Sequence, residues 1–128
     1  MNLNSLSPCE WAVMDALWQK SPQALGGVIE TIGKAMDWGY RTYATYLRRL
    51  CEKGYVAFTV QGRDKFYYPL VSKQACIRAE GRGLLQKLDA HGAKELMVYM
   101  IREGGLKQED QADLQRLLEE LAKGGNPQ

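Results

Sequence analysis

Between Trp38 and Leu50 the sequence WGYRTYATYLRRL gathers one tryptophan, three tyrosines, two threonines and three arginines into thirteen residues. Side chains of these types bond phosphates and base edges: an arginine fork takes guanine O6 and N7 together, and a threonine offers both a hydroxyl and a methyl. Hydrolytic or redox chemistry lacks its parts. His91 is the only histidine and stands beside Gly92, which suits a helix-terminal residue near a turn. Cys9, Cys51 and Cys76 are odd in number, widely separated and free of CxxC or Cys/His spacing, so reduced cysteines packing as small apolar residues are expected, and no metal site. One histidine and scattered carboxylates form no convergent set of nucleophile, acid and ligand, so neither an enzyme nor a bound cofactor is expected.

On a helix each residue advances by about 100°, which sorts this stretch by angle. With Arg41 at zero, Tyr43, Tyr46, Leu47 and Leu50 share an arc of roughly 140° to 240°, with Tyr40 and Cys51 at its edge. Arg41, Thr42, Thr45, Arg48 and Arg49 share the opposite arc. The first arc is a core face. The second is expected to enter the DNA major groove, with Arg41, Thr42 and Thr45 at the base edges and Arg48 and Arg49 on phosphates. Glu52 falls on the same face but lies about 16 Å along the axis from Arg41, beyond the bases. A solvated face would carry similar charges, and what separates the two readings is where the charges cluster. Arg41, Arg48, Arg49, Lys53, Arg63 and Lys65 stand against only Glu52 and Asp64 between Tyr40 and Lys65, whereas acidic and basic residues balance from Val71 onward and the whole chain carries only +2. Arg63 and Lys65 are expected to reach the flanking backbone or minor groove, and Tyr40 to pack or to bond a phosphate.

Something must hold that helix. LSPCEWAVMDALW opens a first helix with Ser7 as N-cap, Pro8 in the first helical position and Glu10 completing a capping box, while Leu6 and Trp11 are spaced for a hydrophobic staple. A second helix is expected from about Ala24 to Met36, weakened in its first turn by Gly26 and Gly27. The third runs to Lys53 and stops at Gly54. YVAFTV and KFYYPLV, joined by a turn with Gly62, read as a hairpin. The order helix, helix, helix, hairpin in this compass is the winged helix-turn-helix pattern. Beyond Ser72 everything reads as helix: to about Ala90 with Leu84, Leu85 and Leu88, from Ala93 to Glu103 with Leu96, Met97, Met100 and Ile101, then a last helix with Leu114, Leu117, Leu118 and Leu121 at i, i+3, i+4, i+7. Short helices with this much apolar surface and little core of their own point to dimerisation, the competing arrangement being that they fold back on the winged part.

The fold class expected is therefore mainly α: a winged helix-turn-helix domain over 1–71, a three-helix dimerisation region over 72–123 and a disordered tail over 124–128. At 128 residues two large domains are excluded, and 45% hydrophobic with 25% charged residues is the composition of a folded chain. No apolar run approaches the roughly 18 residues of a membrane span, and MNLNSLSPCEW lacks a leader's basic and apolar regions, so a cytoplasmic location without membrane attachment is expected.

LSPCEWAVMDALW, DWGYRT, TYLRRLCEKGYV and GRDKFYYPLV together resemble the penicillinase repressor family, which includes BlaI, MecI and CopY. The likeness runs on more weakly through LMVYMIREGGLKQEDQADLQRLL. The resemblance implies a homodimeric transcriptional repressor on double-stranded DNA bearing an inverted-repeat operator. It also implies that residues at the positions of Arg41 and Thr42 approach the bases, and that an inducer or sensor protein of unidentified kind is a further partner. Two departures stand out. Sensor-cleaved members carry an Asn-Phe pair where Tyr99-Met100 stands here, and copper-responsive members carry a CxCxxxxC cluster where this chain has no cysteine after Cys76. A winged-helix protein-interaction module without DNA binding is the rival reading, and it predicts no salt-dependent affinity for duplex DNA.

Overall fold

The computed structural model describes residues 6–124. The tail expected beyond Gly124 lies outside them. The chain separates into two compact units, Met1–Gly83 and Leu84–Gln128.

In the first unit, helix α1 spans Pro8–Gln19 and starts as its sequence requires. Ser7 Oγ accepts the Glu10 N–H at 3.1 Å and Glu10 Oε1 accepts the Ser7 N–H at 2.9 Å, so two otherwise orphaned donors are satisfied reciprocally. Leu6 and Trp11 both lie against the core, as a staple needs. Glu10 is also buried and takes Lys53 Nζ at 2.5 Å, tying the start of α1 to the end of the third helix. Burial alone pushes the Glu10 carboxyl up, but the Lys53 hydrogen bond, the Ser7 N–H and the Lys53 charge outweigh it and hold the group below its ordinary 4.5. A depressed carboxylate stabilises the fold above its unfolded pKa and loses that contribution as pH falls through the folded one. Stability of the native chain should therefore fall more steeply between neutral pH and acid than that of Glu10→Gln. Urea midpoints measured across this range check it, and parallel curves would refute it.

Helix α2 covers Leu25–Ile32 and tightens into a 3₁₀ turn at Gly33–Ala35. The continuous helix expected to Met36 is interrupted because Gly33 adopts φ 64°, outside the α region. Helix α3 covers Tyr40–Glu52. It ends in a Schellman motif, with Tyr55 N–H on Leu50 O at 2.9 Å, Gly54 N–H on Cys51 O at 3.1 Å and Gly54 at φ 82°. Strands β1 (Val56–Gln61) and β2 (Asp64–Pro69) pair antiparallel from Val56↔Pro69 to Gln61↔Asp64 around a turn at Gly62 and Arg63. The core gathers Val13, Met14 and Leu17 of α1, Val28 of α2, and Leu47 and Leu50 of α3, with Tyr55 and Val56 at the foot of the hairpin. Cys76 joins them from helix α4, Lys73–Lys87, whose start is also held by Trp18 Nε1 on Val71 O at 2.9 Å and Lys73 on Asp15 at 2.8 Å.

In the second unit, α5 spans Ala90–Glu103 and α6 spans Gln108–Ala122. The helix expected to reach Ala90 stops at Lys87, and the next begins at Ala90 rather than Ala93. Asp89 is the reason: its Oδ1 accepts the Gly92 N–H at 2.7 Å and so caps α5. His91 lies in the first turn of α5, 3.0 Å from Glu95. Lys107 occupies the N-cap of α6 without a side-chain bond. None of the described residues from Leu84 onward is buried. Leu88, Leu96 and Leu114 are half-covered, whereas Leu84, Leu85, Met97, Met100, Ile101, Leu117, Leu118 and Leu121 are exposed.

Candidate nucleic-acid interface

Helix α3 keeps its two faces apart. Tyr43, Leu47 and Leu50 are buried, while Arg41, Arg48 and Arg49 are exposed and Thr42 and Thr45 half-exposed. Tyr46, expected in the core, is only half-buried, because it packs at the core's edge against Trp38, which is itself only partly covered. The Trp38 ring lies 5.1 Å from Tyr46 and 5.0 Å, edge-on, from Tyr43, which fixes how the chain enters the helix. Arg49 extends over the outer side of the Tyr46 ring at 5.8 Å.

The wing brings up a second wall. Because side chains alternate along a strand, Phe58 and Val60 of β1 share a face with their cross-strand partners Tyr67 and Lys65 of β2. Phe58 and Tyr67 rings are 5.7 Å apart, and Lys65 Nζ sits 4.6 Å from the Phe58 ring centre. Between this wall and α3 runs an open groove of about 380 Å³, lined by Tyr40, Arg41, Ala44, Thr45 and Arg48 from the helix and by Lys65 and Tyr67 from the wing. Thr42 and Arg49 lie instead along a neighbouring hollow that also includes Arg41 and Thr45. Arg63, at the hairpin tip, borders a third with Lys65, Tyr40 and the first turn of α2. Tyr40, left between packing and phosphate by its angle, is 66% exposed and lines two of these depressions.

The electrostatics favour an anion. Ion pairs among the described residues join Lys53 to Glu10, Lys73 to Asp15, His91 to Glu95 and Arg116 to Asp113, and none uses Arg41, Arg48, Arg49, Arg63 or Lys65. Five cations thus line these hollows without an ion pair among the described residues, with Asp64 the one carboxylate beside them. Cys51 packs against the core, where burial pushes its thiol up, and burial likewise raises the Tyr67 hydroxyl, which stays a neutral donor at physiological pH. Two members of the groove, Ala44 and Tyr67, were not singled out by the helix angles. Tyr67 could have been found from its period-2 relation to Lys65.

A family model described as penicillinase repressor matches residues 6–120. The chain belongs to the penicillinase repressor family. Among curated relatives of this repressor family, the methicillin resistance regulatory protein MecI of Staphylococcus aureus strain N315 is 26% identical over 113 residues, 88% of this chain and 92% of that one. The penicillinase repressor of Bacillus licheniformis is 25% identical over 115 residues, 90% of each chain. A MarR family protein from Bacillus stearothermophilus superposes with a TM-score of 0.52 at 12% identity, covering 94% of this chain and 76% of that structure. This last likeness concerns the fold, and it matches the winged helix-turn-helix order of α1, α2, α3 and hairpin.

Proposed function

We propose that this member of the penicillinase repressor family is a transcriptional repressor without catalytic activity that binds an inverted-repeat operator in double-stranded DNA as a homodimer. The observation that carries the reading is the set of unpaired cations, Arg41, Arg48, Arg49, Arg63 and Lys65, arrayed over α3 and the wing on one side of the first unit. In this reading residues 1–71 bind DNA and residues 72–123 dimerise, with Leu84, Leu85 and Leu88 joining the apolar residues of α5 and α6 in the contact. Arg41, Thr42 and Thr45 meet base edges, while Tyr40, Arg48, Arg49, Arg63 and Lys65 hold the backbone. Two copies of α3 then enter successive major grooves roughly 34 to 36 Å apart. Release goes through an inducer or sensor protein acting by a route other than Asn-Phe cleavage or a cysteine cluster. No helix among the described residues is long and apolar enough to cross a membrane.

Genomic footprinting of the protein tests the reading directly, since it predicts protected sites with two-fold symmetry and half-sites one helical turn apart. Two substitutions divide the contacts. Arg41→Ala should lower operator affinity by about 1 to 3 kcal/mol and leave random DNA nearly unaffected, as loss of a base contact does. Equal losses on both would remove Arg41 from base readout. Lys65→Ala should weaken both alike and flatten the dependence of log K on log salt by about one unit. An unchanged slope would take Lys65 off the phosphate contacts.

A further inference from the structure

We infer that Gln23 is a positioning residue for the DNA interface: it sets the angle of the wing, and with it the width of the groove between Lys65 and α3. This rests on the DNA-binding reading above.

Gln23 stands in the turn between α1 and α2 and is 5% exposed. Its backbone forms a bridge with Tyr67, N–H to O at 2.9 Å and O from N–H at 2.8 Å. Its side-chain amide donates to Ala16 O at 2.9 Å and to Lys20 O, and its Oε1 lies 3.0 Å from Thr31 Oγ1, whose one hydroxyl proton is shared between it and Gly27 O at 2.9 Å. A methyl at Gly27 would stand 3.0 Å from that Oε1, so the first turn of α2 is pared back to admit the amide. A buried primary amide is tolerated only with its donors and acceptor matched, which holds for one orientation of this turn.

A two-stranded hairpin has little stability of its own and takes its direction from what it leans on. This one is tied outside its own ladder by the Gln23 bridge and by Leu70 N–H on Tyr55 O at 2.8 Å. The bridge falls on Tyr67, which lines the groove and lies two residues from Lys65 on the same strand face. Whatever fixes Gln23 therefore fixes the wing cation opposite Arg41 and Arg48.

The test is a pair of double-mutant cycles on operator DNA, read at a temperature where melting curves show every variant folded. Gln23→Met keeps the volume and removes the amide. It should cost about tenfold in affinity and flatten the salt dependence by about one unit, because the wing no longer holds its phosphate. Lys65→Ala added to it should then cost less than about twofold, while Arg41→Ala added to it should cost the same factor as in the native chain. Independent losses from Gln23→Met and Lys65→Ala, or an unchanged salt slope, would overturn the inference and leave the DNA reading standing. A native chain without salt-dependent duplex binding would overturn both. Should Gln23→Met fail to fold, Thr31→Val loosens the same amide more gently. Coupling to Lys65 but not to Arg41 is again the supporting result, and independence the contrary one.

Discussion

Leu118→Asp should yield a protomer of 14.5 kDa in sedimentation and an operator affinity lower by about 10² to 10⁴, the advantage lost when a second half-site is no longer tethered to the first. Leu118 is 62% exposed on α6, so the substitution disturbs little packing within the described chain. The reason to expect a large effect lies in how much apolar surface the second unit leaves open. The run Leu96-Met97-Val98-Tyr99-Met100-Ile101 makes the middle of α5 apolar all round, a pattern that belongs inside a core, yet every member after Leu96 is exposed. Monomers rarely leave a contiguous patch of this kind uncovered. A variant that remains dimeric, or a monomer that holds the operator as tightly as the native chain, would contradict the assignment.

Leu47→Ala should cost about 2 to 5 kcal/mol of stability, by lost transfer energy and by the cavity it leaves. Leu47 is completely buried on the inner face of α3, among Val13, Met14, Leu17 and Val28. Its neighbour Arg48 points the other way, and Arg48→Ala should stay within about 0.5 kcal/mol of the native stability while weakening DNA binding. Urea unfolding of the two variants side by side measures the contrast. Similar destabilisation from both would mean that the two faces of α3 are not separated as described.

Local signals carried most of the architecture. Ser7, Pro8 and Glu10 define the start of α1 through bonds made within one turn, and Gly54 ends α3 by its own backbone freedom, so both boundaries were readable from neighbours in sequence. The division of α3 was readable because helical angle depends only on spacing. What escaped was non-local. Gln23 lies in the string KSPQ, which reads as a polar turn, and nothing near it announces a bridge to a residue 44 positions later or a buried amide. The cation of Lys65 was legible, but not its seat on Phe58, which depends on strand register. Asp89 falls inside the helix expected to Ala90, although its short side chain is a better cap than a helix interior residue.

The bareness of the second unit has a consequence for dosage. No described residue from Leu84 to Gly124 is buried, so in the proposed dimer the stability of that half would come from association and would depend on protomer concentration. Dilution below the dimer's dissociation constant would cost the cell more than a tethered second reading head, since the separated chains would present open helices to proteases. Repressor supply would then act as a threshold: above it the protein is both folded and bound, below it the protein is removed, and expression of the controlled genes turns on over a narrow range of synthesis rate.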